Sequence, residues 1–525
     1  MPLNTRCGQR GLCNGCYVEL VRGSLIHKNV NERLATDGKP IELRGCEYCL
    51  PDDGCVEIRL PAQSLLAHEP QVVTDFRSNV PYAHDPLVDV GSADAEHPPI
   101  GAAIDIGTTT VVVMLVDLTD DRTLATSSAF NDQVLYGDNV LTRINLCRQD
   151  AESIALLQRA VIDQTISPLL EQSLSEAGAT SEQLACLSVA GNTTMLHLLI
   201  GEDPSSMGVA PFTPGFLEHR VMSCGELGLE VAPAHRPIHL LPGAAAYVGS
   251  DLTAGVFSSG MAYRDETCLL VDVGTNGEII LKHGDHLLGC ATAAGPAFEG
   301  SKLTCGLRAG RGAISHLWFD NDPTNSPPAV EVIGGGKPNG VCGTAYIDFL
   351  SEARRRELIG PNGRFVNATD TDRLIDDRHG GRAFVIADGQ GREPIVISES
   401  DIASLLQAKA AIAAGIVCLL NSVDLQPDDV DVVFLAGGFG MHLNIDNVIG
   451  CGLLPGFAAD RVQLVGNTSL AGAYLAMIDR GVLDEIKRIC ERIEIIELNL
   501  DPNFESNYID QLSLPALAPG SRMSL

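Results

Sequence analysis

From Ile100 onward, short apolar runs alternate with longer amphipathic stretches, the rhythm of α/β architecture. The clearest strand-like runs are AAIDIGTTTVVVMLVD, Ala102 to Asp117, and CLLVDVGTNGEIILK, Cys268 to Lys282. Both read strand, Asp, Gly-Thr turn, strand, so the pattern predicts two related halves facing one another. A third apolar strand, VVFLAGGFGMHL from Val432 to Leu443, runs into Gly437-Gly438. The strongest helical periodicities cover Ala151 to Gly178 and Asp401 to Val423.

Before Ile100 the pattern changes. Residues 1–61 place short apolar pieces, YVELV at Tyr17 to Val21 and CVEIRLP ending at Pro61, among Cys and Gly, which predicts a small and mostly β unit. Between Ala62 and Pro99, Pro70, Pro81, Pro86, Pro98 and Pro99 stand among polar and acidic residues and predict an extended connector, with a short docking piece as a further option. The expected division is an N-terminal unit (1–61), a Pro-rich linker (62–99), a first lobe or middle domain (100–265) and a second lobe (266–525).

Composition narrows the function. A chain of 525 residues exceeds one ordinary core. Its 67 acidic against 36 basic side chains, with no basic run, exclude nucleic-acid binding by phosphate neutralisation. The longest apolar stretch, Ser404 to Val423, is interrupted by Gln407 and Lys409, so no membrane span is predicted. No secretory signal is legible, and the cytoplasm is the expected location. There sixteen Cys are read as metal ligands, reactive thiols or packing. Six lie in the first 55 residues, and the other ten are scattered singly from Cys147 to Cys490, so the N-terminal set carries the information.

Each Gly-Thr turn has the makings of a phosphate site. Gly107 and Gly274 let the backbone approach phosphate oxygens, while Thr108, Thr109, Thr110 and Thr275 add hydroxyl donors without charge. Asp105 and Asp272, at the strand ends, are suited to hold Mg²⁺ through water. Gly437 and Gly438 leave room for a flat base and ribose. One such turn is also an ordinary feature of a β-meander; two copies and a glycine turn change the weighing.

This order of motifs resembles the acetate and sugar kinase/Hsc70/actin superfamily, ASKHA. The resemblance implies two ribonuclease-H-like lobes with ATP at the base of the cleft between them. By motif, Asp105, Gly107, Thr108, Thr109 and Thr110 match the first phosphate loop. Asp272, Gly274, Thr275, Asn276, Gly277 and Glu278 match the second, and Gly437 and Gly438 the adenosine loop.

Cys7, Cys13, Cys16 and Cys46 stand as C-x5-C-x2-C-x29-C. The spacing resembles that of plant-type and adrenodoxin-type ferredoxins, which implies a [2Fe-2S] cluster carrying one electron. Zinc is the competing reading, with Cys46-x2-Cys49 as the second half of a ribbon. Cys49 and Cys55 are otherwise extra thiols. Only six residues precede Cys7, so the expected ferredoxin-like β-grasp segment is N-terminally short.

Taken together, the chain resembles the reductive activators of corrinoid-dependent methyltransferases. The segments that carry the likeness are SVAGNTTMLHLLIG around Asn192, LPGAAAYVGSDLTAG around Asp251, ATAAGPAFEGSKLTCGLRAGRGAI from Ala291 and AKAAIAAGI from Ala408. The resemblance implies ATP-dependent one-electron reduction of Co(II) to Co(I) in a corrinoid protein, fed by an upstream reductase or ferredoxin, and leaves a homodimer open. Its rivals are an activator of radical dehydratases, a small-molecule kinase and an ATP-gated binding or assembly factor. His197 is expected to be a packed helix histidine and Cys305 a packing thiol. Asp251 is expected either to cap a helix or to orient water near ATP.

Overall fold

The computed structural model describes residues 16–51, 55–60, 64, 74–78, 80–90, 97–300, 303–320, 326–366, 371–377, 380–389, 394–438 and 440–515. Cys7 and Cys13 lie outside them. The first sheet is antiparallel and centred on one long strand, β1 (Tyr17–His27). Its first half pairs with β3 (Ile41–Arg44) and β5 (Glu57–Arg59), its second half with β2 (Arg33–Thr36) and β4 (Tyr48–Cys49). Val18, Leu20, Leu25 and Leu43 form its small core.

The two lobes repeat one topology. In the first, β6 (Ile100–Ile106), β7 (Thr110–Asp117) and β8 (Thr123–Phe130) form an antiparallel meander, and β9 (Leu184–Gly191) adds parallel to β6. β10 (Arg220–Ser223) and β11 (Pro237–Leu240) complete the sheet in the order β10-β11-β9-β6-β7-β8. In the second, β12 (Cys268–Val273), β13 (Gly277–His283) and β14 (His286–Thr292) form the same meander.

Two smaller sheets decorate this lobe: β15 (Ala313–Trp318), β16 (Ala329–Val332) and β17 (Gly340–Val341), then β18 (Leu374–Asp376), β19 (Arg382–Asp388) and β20 (Pro394–Ser398). β21 (Val432–Ala436) then adds parallel to β12, as β9 does to β6, followed by β22 (Val462–Gly466), while β23 (Ile493–Ile495) edges β14.

Because strands covered on both faces must be apolar on both, successive residues of β6 and β12 feed different cores. Ile100, Ala102, Ile104 and Ile106 face the helical run over residues 152–177, whereas Ala103 joins Leu270, Ile280 and Phe434 of the second sheet in one core shared by the lobes. The helices Ser250–Ser258 and Thr468–Ile478 cross inside that shared core, so close that a Cβ on Gly472 would sit 2.3 Å from the Ala254 Cβ. The lobes are thus wedged by two helices, and the two Gly-Thr turns open at one end of the wedge.

The helix expected over 151–178 is two helices, Glu152–Val161 and Ser167–Ala177, joined by a π turn at Ile162–Ile166 and closed by Gly178. The second expected helix runs Glu399–Asn421. Among the described residues it is the one helix long and apolar enough to cross a membrane, and it is mostly buried in the second lobe. Within it Lys409 is wholly buried, and its ammonium donates to the Ser513 carbonyl at 2.9 Å.

The connector is extended but not loose. Its described residues 74–78 and 80–90 run as a strap along the second lobe: Phe76 bridges Gly466, Arg77 N–H donates to the Val465 carbonyl (3.1 Å), and Leu87 N–H to that of Met477 (3.0 Å). Phe76, Val80, Leu87 and Val88 pack against the shared core. Proline spacing alone predicted the extension; the docking comes from the apolar residues between the prolines.

Candidate functional site

The turns between β6 and β7 and between β12 and β13 face each other across a cleft. Twelve of the thirteen residues assigned by motif to the nucleotide line it: Asp105, Gly107, Thr108, Thr109, Thr110, Asp272, Gly274, Thr275, Asn276, Glu278, Gly437 and Gly438. Gly277 does not. It opens β13 behind the turn, where a Cβ would come within 2.6 Å of both Ile412 and Thr292; close packing is its role there. Each turn closes on itself, Gly107 N–H to the Thr110 carbonyl (2.9 Å) and Gly274 N–H to the Asn276 carbonyl (3.0 Å).

At the centre, Thr109 Oγ1 and Thr275 Oγ1 lie 3.1 Å apart. Both hydroxyls donate to the carboxylate of Glu299, Thr109 at 2.7 Å. Thr108 is fixed from behind, its hydroxyl accepting from the Asn192 amide (3.0 Å) and its carbonyl from the buried Arg143 guanidinium. Gly437 has φ +100°, and a Cβ there would strike Asp272 Oδ1 at 2.5 Å, so only glycine brings the third turn against the second.

Four carboxyl groups crowd the base of the cleft. Burial raises the pKa of Asp105, opposed by hydrogen bonds from Ser469 Oγ (2.7 Å) and Asn467 Nδ2 (2.8 Å). Burial and then the charge of Asp105 push Asp272 up to about 7. Asp251 and Glu278 rise too, first through burial and then through the neighbouring carboxylates. Such a cluster holds protons or attracts a cation. Among the described residues no three acidic, His or Cys side chains form a ready-made metal site, so a cation here would take most of its ligands from water and phosphate. That matches the habits of Mg²⁺.

Asp251 lines the cleft from the first turn of the helix Ser250–Ser258 and contributes to the carboxylate cluster. His197 is packed: wholly buried, Nδ1 2.7 Å from the Thr193 carbonyl, Nε2 accepting from Gly215 N–H (2.9 Å), its ring stacked on Phe216. Cys305 is half-buried and accepts from Val396 N–H (3.4 Å).

Motif reading missed Arg143, Asn192, Glu299, Arg308, Asn467 and Ser469, all contributed by elements far along the chain from the turns. One signal was present. Gly191-Asn192-Thr193-Thr194 and Gly466-Asn467-Thr468-Ser469 are a second internal echo, each ending a strand and opening a helix. Both Asn side chains cap their helices, accepting from Met195 N–H and Leu470 N–H. Each also donates across to the first turn.

The N-terminal unit positions the two described members of the thiol set. Cys16 immediately precedes β1, its carbonyl accepting from Gly45 N–H (2.8 Å), and Cys46 follows Gly45. Both are buried, so the register of β1 on β3 brings residues thirty positions apart to one end of the sheet. Cys49 instead sits exposed near the other end of β1, donating to the Ile26 carbonyl at 3.4 Å. Cys55 is exposed as well.

Known proteins resemble the whole arrangement. Residues 100–264 match the family described as the RACo middle region, and residues 266–521 the C-terminal domain of RACo, the ASKHA domain. The corrinoid activation enzyme RamQ of Eubacterium limosum is 31% identical over 433 residues, covering 80% of this chain and 71% of that protein. The [Co(II) methylated amine-specific corrinoid protein] reductase of Methanosarcina barkeri is 26% identical over 447 residues, covering 79% and 76%. A solved structure of a reductive activator for corrinoid, iron-sulfur protein superposes with a TM-score of 0.77 at 30% identity, over 98% of this chain and 94% of that one. The facing turns, the repeated lobes and these matches agree: the chain belongs to the RACo family of corrinoid activators, built on the ASKHA fold.

Proposed function

We infer that this chain is an ATP-dependent reductive activator that drives Co(II) to Co(I) in a corrinoid protein of a methyltransferase system. The single observation that carries the reading is the meeting of Thr109 and Thr275 at 3.1 Å across the cleft, each at the end of a Gly-containing turn with an Asp behind it. In this mechanism Asp105 and Asp272 would hold Mg²⁺ and orient the attacking water, Thr109 and Thr275 would donate to phosphate oxygens, and Gly437 and Gly438 would leave room for the adenosine. Asn467 and Ser469 keep Asp105 aimed into the cleft.

The thiols of Cys16 and Cys46, buried at adjoining strand ends, suit a pair of ligands to a [2Fe-2S] cluster completed by Cys7 and Cys13. Bound there, such a cluster would supply one electron at a time, drawn from an upstream reductase or ferredoxin. Co(II) plus that electron gives Co(I), with no other atom transferred. The difficulty is potential: each ~59 mV uphill lowers the reduced fraction about tenfold. ATP helps only if the nucleotide-bound conformation binds the more easily reduced corrinoid form better. The shared core between the lobes suits such a lever, since turns that close on nucleotide must shift the helices wedged there.

The test is a visible-absorption assay of Co(II) to Co(I) conversion in a corrinoid protein with a chemical donor, with and without ATP. The expected outcome is conversion that needs ATP and is lost in Asp272→Asn while the reducible iron signal persists. Conversion at equal yield without ATP would refute the reading.

A further inference from the structure

Two guanidinium groups are buried beside the first Gly-Thr turn, and they differ in one respect. Arg143 donates from all three nitrogens, Nε to the Gly137 carbonyl (3.0 Å), Nη1 to Gln133 Oε1 (2.9 Å) and Nη2 to the Thr108 carbonyl. Arg308 lines the cleft with Nε, Nη1 and Nη2 all buried, and none has a hydrogen-bond partner among the described residues. The ring of Phe130 lies 5.0 Å beneath it. That contact steadies the plane of the cation but leaves its N–H donors unmet. A buried cation without acceptors is strongly unfavourable unless an anion comes to it.

Glu299 supplies the complementary half. Its carboxylate accepts from both Thr109 and Thr275, the two hydroxyls that the proposed function gives to phosphate. A carboxylate bridging two donors reproduces what two oxygens of a phosphate would do. Burial lowers the pKa of Arg308, and the nearby Glu299 and Asp138 carboxylates oppose that by favouring the protonated guanidinium. There is backbone contact as well: a Cβ on Gly306 would lie 2.0 Å from the Gly300 carbonyl. Glu299 and Arg308 thus lie on closely packed segments of one stretch of chain.

We propose that Glu299 occupies the seat of the nucleotide's terminal phosphate, and that Arg308 is the cation that ligates this phosphate once it displaces the carboxylate. The inference rests on the ATP reading above and adds what distinguishes a triphosphate from a diphosphate. ADP leaves the Glu299 bridge in place and does not reach Arg308. Only a triphosphate breaks the bridge, satisfies the guanidinium and frees the loop that carries Glu299, which makes these two residues the sensor of nucleotide state.

The experiment is calorimetric titration of the full chain with Mg²⁺ and either ADP or a non-hydrolysable ATP analogue. Arg308→Gln is expected to weaken the analogue about tenfold or more while changing ADP by less than about twofold. Glu299→Gln, a weaker competitor without charge repulsion, is expected to tighten the analogue severalfold with ADP unchanged. Arg308→Lys retains part of the discrimination. Thermal unfolding without nucleotide guards against misfolding: Arg308→Gln should not lower Tm, since the buried donors it removes have no hydrogen-bond partner among the described residues. The proposal falls if Arg308→Gln weakens both nucleotides equally or neither, or if Glu299→Gln weakens the analogue. Failure of the unaltered protein to bind either nucleotide overturns the ATP reading instead, and this inference with it.

Discussion

Thr109 and Thr275 stand 166 positions apart in the chain, yet their hydroxyls are 3.1 Å apart. Each belongs to a turn fixed by its own lobe, so their approach measures closure of the cleft. Thr109→Ala and Thr275→Ala should each lower kcat/KM for ATP hydrolysis about 10- to 100-fold, the worth of a hydrogen bond to a charged oxygen. The double variant should lose less than the product, because the pair acts on one phosphate group. Full additivity in a double-mutant cycle would mean that the two turns do not grip the same ligand.

The carboxyl cluster predicts an unusual pH response. Asp272 is pushed up to about 7 by burial and by Asp105, so between pH ~4 and about 7 the folded protein keeps a proton that the unfolded chain has released. Its contribution therefore falls as pH rises through that window, by up to about 1.4 kcal/mol per pH unit for one proton. Relative to Asp272→Asn, the unaltered protein without nucleotide or Mg²⁺ should lose Tm steadily from pH 4.5 to 7.5 as judged by that expected slope. Adding Mg²⁺ should offset the loss at the high end, where the carboxylates are ionised. A Tm difference that grows in the other direction would place Asp272 in a site that favours its charge.

Both Gly-Thr turns that line the cleft were legible in the sequence because their residues are contiguous: Asp105 to Thr110 and Asp272 to Glu278 carry strand, carboxylate and hydroxyl within seven residues. The groups that hold those turns in place were not. Arg143 reads as one more polar residue on an ordinary helix, and only the tertiary fold buries its guanidinium against the Thr108 carbonyl. Glu299 and Arg308 lie in a Gly-rich stretch with no hydrophobic period, so nothing local marks which side chains face the cleft. The extension of the strap was legible from its prolines and left room for a short docking piece, but which residues dock, Phe76, Leu87 and Val88 among them, is decided by the shared core and has no local signal.

The described strap docks beside the cleft, and Gly466 is the place to break that contact. It has φ +76°, and a Cβ there would lie 2.2 Å from the Asp75 carbonyl, the same carbonyl that accepts from Asn467 N–H at 3.1 Å. Asn467 in turn donates to Asp105. Gly466→Ala is expected to cost about 1–3 kcal/mol through left-handed strain and the clash with the strap. Hydrogen exchange should rise at residues 74–78 before it rises in the core, and KM for ATP should increase as Asp105 loses its aim. By contrast, Asp85→Asn, which removes the charge of an exposed ion pair with Arg480 at 3.0 Å while leaving the Arg480 hydrogen bond to the Pro86 carbonyl (2.7 Å), should change stability by less than about 1 kcal/mol. Equal effects of the two variants would mean that the strap is held by its charges and not by its backbone.

Cysteine substitutions test the proposed cluster separately from ATP turnover. Cys46 is buried beside Cys16 at one end of β1, whereas Cys49 is exposed and donates its thiol hydrogen to Ile26 near the other. Cys46→Ser should abolish the low-temperature EPR signal of the reduced protein and lower corrinoid reduction at least about tenfold, since an oxygen ligand shifts potential and weakens retention. ATP hydrolysis should stay within about twofold, because the substitution lies in the small sheet and not in the turns that line the cleft. Cys49→Ser should leave both signals in place. If Cys49→Ser erased the EPR signal while Cys46→Ser preserved it, the ligand set would have to be drawn from the exposed thiols. The pairing of β1 with β3 would then have no part in building the centre.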